Sequence, residues 1–192
     1  IRDRHDRTVF LLHYSANLNL ISVQEYAPSL DYYSSGNFAI TPTNDGGYAI
    51  AVWRNGGGET NLHTTLLKLD ANKDVQWARS LFPTVNPTVS AQPYNITQDP
   101  SGGIHISGRA FINTGFQSTF FSKYTQNGTY IGTKAPQDPI SLGLATSTHG
   151  SFITTNPNTP DLPLLIGYDM SESNFGGYGF LITRTSNNYS AS

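Results

Sequence analysis

The sequence predicts an all-β protein, a β-propeller-like array of four-stranded antiparallel blades. Three observations support this prediction: a composition that favours turns over helices, a hairpin motif that recurs along the chain, and a glycine turn that recurs at nearly the same spacing. The repeat is about 55 residues long, with three full copies and a half copy at the N-terminus.

Turn-forming residues dominate the composition. The 192 residues include 18 Gly and 11 Pro with many Asn, Ser and Thr, which interrupt nearly every window long enough for a helix. Charged residues make up only 12%, about half the usual share for a soluble domain. Hydrophobic residues make up 37%, and the 11 Tyr and 10 Phe can fill a core. Short strands joined by many turns suit this mixture.

The hairpin motif is the clearest repeat. Its copies read LLHYSANLNLIS, LLKLDANKDVQW, FSKYTQNGTYIG and LITRTSNNYSAS, and their turn asparagines are Asn17, Asn72, Asn127 and Asn187. These asparagines are separated by 55, 55 and 60 residues. Asn tolerates the left-handed conformation that tight hairpin turns need. Two positions earlier the copies carry Ser, Asp, Thr and Thr, so this position is predicted to need a turn former and not a carboxylate.

A glycine turn precedes each hairpin. Ile40-Thr41 and Gly46-Gly47 recur 56 residues later as Ile96-Thr97 and Gly102-Gly103. A weaker third copy is predicted at 142–156, where Gly150-Ser151 replace the glycine pair. Each copy indicates a strand, a polar turn and a second strand with period-two alternation.

These motifs place four strands in each repeat of a single domain that spans residues 1–192. The half repeat occupies 1–30, and the full repeats occupy 37–82, 92–135 and 141–192. The half repeat supplies strands near 9–14 and 19–25. The full repeats supply strands near 37–41, 48–53, 64–69 and 75–81; near 93–97, 104–110, 118–124 and 129–134; and near 142–146, 151–155, 163–168 and 178–184. The third repeat also has an insertion around NPNTPDLP and DMSESNFGG, and its fourth strand is predicted to fall at Asn188–Ser192.

Four antiparallel strands per repeat, without helices, are typical of propeller blades, which stack because one blade cannot bury both faces of its sheet. Three and a half blades are fewer than the four to eight of closed propellers. The count therefore favours either a segment of a longer chain or a strand exchange, in which the N-terminal half-blade completes the C-terminal copy of the same chain or of a neighbour. Two such chains would supply seven blades.

The motifs resemble the tandem propeller-type repeats of secreted and cell-surface bacterial and archaeal proteins, whose pattern is DGGY followed by LLKLDxNGxxxW. The first full repeat matches at Asp45, Gly46, Gly47, Tyr48, Lys68, Leu69, Asp70, Asn72 and Trp77. Later copies keep Gly102, Gly103, Lys123, Asn127 and Asn187. The resemblance implies an extracellular or cell-surface scaffold with an adhesive or binding surface, and it supplies no catalytic residues.

Charge and cysteine content exclude several kinds of function. A net charge of −2 gives no electrostatic basis for binding nucleic acid. The absence of cysteine excludes disulfides, thiolate catalysis and zinc–thiolate sites. No stretch approaches the roughly 20 apolar residues of a membrane-spanning helix.

Neither histidines nor carboxylates form a catalytic or metal-binding pattern, so no cofactor is predicted. His13 shares a repeat position with Lys68 and Lys123, which is interpreted as an outward-facing polar position. Asp70, Asn72 and Asp74 alternate as calcium ligands do, but the loop lacks the glycine and terminal glutamate of a full calcium site.

Aromatic residues and sequons provide the remaining candidates. Tyr32, Tyr33 and Trp53 could form an aromatic platform for carbohydrate, whereas Trp77 is predicted to fill space between blades. Sequons for N-glycosylation occur at Asn95, Asn127 and Asn188.

The sequence thus favours a non-catalytic extracellular structural or adhesive module, which self-associates or binds other surface proteins through its terminal half-blades. A carbohydrate-binding module that uses the exposed aromatics is the first alternative. A propeller-fold hydrolase is the second.

Overall fold

The computed structural model describes residues 9–26, 32–56, 63–81, 90–111, 117–134, 148–156, 159–169 and 179–184, with side chains described within 9–26, 38–53, 64–81, 91–110 and 120–133. These residues form strands and turns and contain no helix, so the all-β prediction is confirmed. Every strand pairing among them is antiparallel.

Thirteen strands are present in the described residues. They are β1 (Val9–Tyr14), β2 (Leu20–Tyr26), β3 (Tyr32–Pro42), β4 (Tyr48–Gly56), β5 (His63–Leu69), β6 (Val75–Ser80), β7 (Ser90–Gln98), β8 (Ile104–Phe111), β9 (Gln117–Tyr124), β10 (Tyr130–Lys134), β11 (Thr148–Asn156), β12 (Thr159–Asp169) and β13 (Gly179–Arg184).

The strands form four separate sheets in chain order. β1 and β2 form the N-terminal hairpin, β3 to β6 the first sheet, β7 to β10 the second sheet, and β11 to β13 the third sheet. Within each sheet, consecutive strands are neighbours. The N-terminal hairpin and the first two sheets agree with the predicted strands, with β3 beginning several residues earlier. The strands predicted at 142–146 and 188–192 lie outside the described residues.

The sheets stack face to face in the same order. One apolar cluster joins the first and second sheets, and it includes Ala51 and Leu66 on one side and Ile106 and Phe120 on the other. The opposite face of the first sheet presents Ile50, Val52, Leu67 and Leu69 to the N-terminal hairpin. β11 then packs against β7, β8 and β9 of the second sheet, as β7 packs against β3, β4 and β5 of the first.

Five turns share one geometry. Each of them joins strands 1 and 2 or strands 3 and 4 of a repeat. In each turn the first residue donates its N–H to the carbonyl of the fifth residue, and the fourth residue donates its N–H to the carbonyl of the first residue. The fourth residue is left-handed in every case: Leu18, Gly46, Lys73, Gly102 and Gly128. Asn17, Asn72 and Asn127 lie in three of these turns, but the left-handed residue is the one that follows each of them. The fourth predicted turn asparagine, Asn187, lies outside the described residues.

The turn-former prediction is confirmed in three hairpins. The side-chain oxygen of Ser15, Asp70 or Thr125 accepts the N–H of the residue four positions later, at 3.1, 2.9 and 3.0 Å respectively. An oxygen at this position stabilises the turn by satisfying a backbone donor, whether or not it carries charge. The fourth member, Thr185, lies outside the described residues.

The third repeat differs from its prediction. Gly150 and Ser151 do not form a turn, because both lie within β11, where Gly150 is opposite Gly167. The stretch read as an insertion, NPNTPDLP, contains the end of β11 and the start of β12.

The packing of β11 supplies the correct alignment of the third repeat. β11 holds the place of β7, so Ile153-Thr154 is the counterpart of Ile96-Thr97. The first two strands of this repeat are then β11 and β12, and the third is β13.

No helix in the part of the chain that the structure describes is long and apolar enough to cross a membrane.

Candidate functional site

The glycine turn of the first sheet holds an ion pair. Asp45 lies in the turn between β3 and β4, and its carboxylate accepts hydrogen bonds from Thr43 Oγ1 at 2.6 Å and from the N–H of Gly47 at 3.2 Å. Lys68 reaches it from β5, with Nζ at 2.7 and 2.9 Å from the two carboxylate oxygens. The Lys68 side chain is completely buried, whereas that of Asp45 is partly exposed.

The second sheet carries the corresponding ion pair in a more buried form. Asp99 accepts hydrogen bonds from Ser101 Oγ at 2.6 Å and from the N–H of Gly103 at 2.7 Å. Its second carboxylate oxygen lies 2.7 Å from Nε2 of His105 and 3.3 Å from Nζ of Lys123. Both Asp99 and His105 are fully buried.

The two sites exchange the positions of their acid and their hydroxyl group. With the 56-residue repeat spacing, Thr43 corresponds to Asp99 and Asp45 corresponds to Ser101. The carboxylate is thus two residues earlier in the second turn, yet it still receives a hydroxyl, the N–H of the second glycine and a lysine from the third strand. The repeat conserves the set of contacts while the residues that make them change places.

Burial and hydrogen bonding act in opposite directions on both carboxylates. Burial by itself raises the pKa of Asp99, but hydrogen bonds from Ser101, His105 and the backbone of Gly103 outweigh it and hold the pKa at about 2. The pKa of Asp45 is also lowered to about 2, because Lys68, Thr43 and the Gly47 N–H together outweigh the effect of its burial. Each carboxylate is therefore ionised at neutral pH and acts as an anchor that ties the turn to the third strand.

This arrangement corrects one prediction. Lys68, interpreted as an outward-facing polar residue, is completely buried, and its repeat partner His13 is half-buried. His105 is likewise buried and stacks against Phe121, with ring centroids 5.7 Å apart. The alternating pattern of the strand predicted that Lys68 faces outward. The pattern cannot show that an acid in the preceding turn, Asp45, compensates the buried charge of Lys68.

The turn between β5 and β6 uses its carboxylate internally. Asp70 accepts the N–H of Asp74, as described above, which occupies one of the oxygens considered for calcium. Among the described residues, no group of three or more His, Cys, Asp or Glu side chains is arranged to hold a metal ion.

A different kind of site lies at the N-terminal hairpin. Its strands correspond to the third and fourth strands of a repeat, but β1 pairs only with β2 in the described residues. The equivalent strands β5 and β9 pair on both sides. One edge of β1 therefore has no neighbouring strand in the part of the chain that is described, and it is called the open edge of β1 below.

Two apolar side chains of the first sheet are exposed beside this open edge. Phe38 is 68% exposed and Ile40 is 43% exposed, although they face Val52 and Ile50 across the β3–β4 pairing. Val52 and Ile50 are buried beneath the N-terminal hairpin. In the second sheet, the counterpart of Ile40 is Ile96, which is buried against the first sheet. Phe38 and Ile40 thus lie where the first two strands of a preceding sheet would cover them.

The outer face of the N-terminal hairpin is also apolar and exposed. Phe10, Leu12 and Tyr14 are each about half exposed, at 55%, 50% and 49%. Two of their repeat counterparts, Leu67 and Leu69, are buried against the preceding hairpin. This face and the open edge of β1 together form a surface that the rest of the repeat pattern would cover.

The predicted aromatic platform is described only in part. Tyr32 and Tyr33 lie in β3 opposite Gly56 and Asn55, and their side chains lie outside the described residues. Trp53 is half-buried in β4. The carbohydrate-binding hypothesis therefore stays a prediction.

Trp77 packs against the cluster between the first and second sheets and donates its Nε1–H to the carbonyl of Gln126, as expected for an aromatic that fills space between stacked sheets. Among the sequons, Asn95 is half-buried in β7 and Asn127 is exposed in the β9–β10 turn. Asn188 lies outside the described residues.

No protein-family model matches this chain, and no curated protein matches it either. The resemblance to secreted propeller-type repeats therefore stays a prediction.

Proposed function

We propose that this protein is a non-catalytic, propeller-type repeat module of the cell exterior or cell surface, which assembles with other subunits by adding strands at its N-terminal hairpin. The observation that carries this proposal is the open edge of β1 beside the exposed side chains of Phe38 and Ile40.

Strand addition fits both halves of this surface. An unpaired strand edge offers a row of backbone donors and acceptors, and added strands are a recurrent mode of protein recognition. Burial of side chains such as Phe and Ile contributes roughly 1.5–3 kcal/mol each when they are fully covered. An added pair of strands would satisfy the edge and cover Phe38 and Ile40 in one step.

The order of the sheets supports the propeller-like arrangement. Each sheet covers one face of the sheet before it, as blades do, and the first and second sheets have the four strands of a blade. The low charge and the abundance of Thr, Asn, Ser and Tyr support an extracellular location, as does the resemblance to secreted repeat proteins.

Native mass, measured by light scattering over a range of concentrations, tests the assembly function. We expect the wild-type chain to form a discrete oligomer and the F38T/I40T double variant to remain a monomer. Threonine keeps the β propensity of β3 while it removes most of the apolar surface.

Val75→Thr is the matched control, because Val75 is 51% exposed on β6, at the opposite edge of the first sheet from β3. This variant should assemble as the wild type does. A wild-type chain that is monomeric at every concentration would refute the proposal, and so would an F38T/I40T variant that assembles normally.

A further inference from the structure

β1 and β13 hold the same position in the repeat. β1 reads VFLLHY and β13 reads GFLITR, so Phe10 corresponds to Phe180, Leu11 to Leu181 and Leu12 to Ile182. Both precede a copy of the recurring hairpin motif in the sequence, and both are third strands of their repeats once β11 and β12 are assigned as the first and second. The two segments are therefore interchangeable in apolar pattern along their central residues.

The two strands differ in their neighbours. β13 pairs with β12, the second strand of its repeat, just as β5 pairs with β4 and β9 pairs with β8. β1 has no second-strand neighbour in the described residues. What β1 lacks is thus a strand of the kind that β12 supplies to β13.

Deepening the proposed assembly function, on which it rests, we infer that β1 pairs with β12 of a second copy of this chain. It takes the place that β13 holds within that sheet, so β13 of the second copy is displaced from the edge of β12 that it occupies in the single chain. The register of β12 with β13 sets Ile166 opposite Ile182 and Tyr168 opposite Phe180. Transferred to β1, it sets Ile166 opposite Leu12 and Tyr168 opposite Phe10. The composite sheet has four strands, in the order β11, β12, β1 and β2.

The β11–β12 hairpin is of the kind that would cover the exposed side chains of Phe38 and Ile40 on the first sheet. It consists of the first and second strands of a repeat, which are the two strands that the N-terminal hairpin lacks among the described residues. In the second sheet, the first strand β7 is covered by β3, β4 and β5 together. β11 and β12 of a second copy would cover β3 in the same manner and bury Phe38 and Ile40.

A second copy is favoured over closure within one chain by the order of the stack. The first and second sheets lie between the N-terminal hairpin and the third sheet, and stacked sheets are about 10 Å apart. The β12 of the same chain is thus on the far side of two sheets from β1. The contact between copies is head to tail, so it forms either a closed ring or a chain of subunits.

The absence of cysteine allows a direct test of this register. L12C and I166C are prepared as two separate single variants, mixed, and oxidised in a glutathione buffer. We expect a disulfide-linked dimer at twice the 20.9 kDa chain mass, several-fold more abundant than in either variant alone. His13→Cys mixed with I166C is the register control, because it is one residue out of step, and it should give several-fold less linked dimer.

Two results would overturn the exchange. One is a mixture of L12C and I166C that gives no more linked dimer than the single variants. The other is an L12C/I166C double variant that forms its disulfide only within one chain.

The native-mass experiment separates this failure from failure of the assembly function. If the wild type assembles, F38T/I40T does not, and no 12–166 disulfide forms, strand addition at β1 survives and the identity of the added strand is wrong. A wild-type monomer at every concentration would remove both proposals.

Discussion

The carboxylate of Asp99 lies 2.7 Å from Nε2 of His105, and neither side chain has any exposed surface. Lys123 approaches the same carboxylate oxygen from the neighbouring strand. A buried charge is tolerated only when it is paired and hydrogen-bonded, so each member of this group depends on the others.

Asp99→Asn should destabilise the fold by about 3–5 kcal/mol, because it removes the charge that compensates Lys123 and weakens the contact with His105. Urea denaturation at pH 7 measures the change. Ser101→Ala is the control, since it removes one hydrogen bond to the carboxylate and should cost about 1 kcal/mol. An Asp99→Asn variant no less stable than Ser101→Ala would contradict the role assigned to the carboxylate.

The free energy of unfolding should decrease as the pH is lowered through the acidic range. Asp45 and Asp99 have folded-state pKa values of about 2, below the ordinary 3.8, so the unfolded chain binds protons more readily than the folded chain. The stabilisation is complete above about pH 4 and is lost as the pH falls towards 2. It amounts to about 2 kcal/mol for the buried Asp99 and to less for Asp45, because solvent screens its more exposed ion pair.

Denaturation at several pH values between 2 and 5 tests this dependence. The difference in stability between the wild type and Asp99→Asn should be largest at pH 5 and should shrink towards pH 2. A difference that does not change across this range would show that the Asp99 carboxylate is not the titrating group.

Leu18→Gly and Lys73→Gly should each stabilise the protein by about 1 kcal/mol. Both residues have a left-handed backbone, with φ of 61° and 72°, which costs a residue with a Cβ roughly 1–2 kcal/mol. The third hairpin already has Gly128 at this position. Thermal unfolding measures the gain, and Asn17→Gly, one position away, should give none. Equal effects at 17 and 18 would mean that the turn conformation is not the cause.

Gly47→Ala should be more damaging than Gly103→Ala. A Cβ on Gly47 would overlap the backbone carbonyl oxygen of Leu69, which cannot move without disturbing β5. A Cβ on Gly103 would meet the side chains of Asp99 and Lys123, which can adjust at some cost to their ion pair. We expect a loss of about 3 kcal/mol or more for the first and 1–3 kcal/mol for the second. Chemical denaturation compares them, and the reverse order would refute this explanation.

Most of the strands could be predicted from the sequence because their turns recur at a fixed spacing. The first two repeats carry Gly-Gly at the same place, so their alignment is unambiguous. The third repeat has no such pair in its turn, and Gly150 misled the prediction because glycine also occurs within strands. The signal that could have found the correct position is Ile153-Thr154 followed by Asn156-Pro157, which repeats Ile96-Thr97 and Asp99-Pro100.

The buried ion pairs could not be predicted, because they join residues far apart in the chain. Lys68 alternates with apolar neighbours in β5, which is the pattern of a half-exposed strand. Its partner Asp45 is 23 residues earlier, and only the packing of β5 beneath the turn brings them together. The exposure of Phe38 and Ile40 could not be predicted either, since an apolar residue in a strand normally predicts a core position.

The exchange of acid and hydroxyl between the two turns has a consequence for protein design. A consensus repeat chosen one column at a time treats the Thr43/Asp99 and Asp45/Ser101 positions as independent choices. Half of the resulting combinations would set two carboxylates, or none, against the single lysine of the third strand. These two columns must therefore be chosen together, as one unit of sequence information spread over two positions.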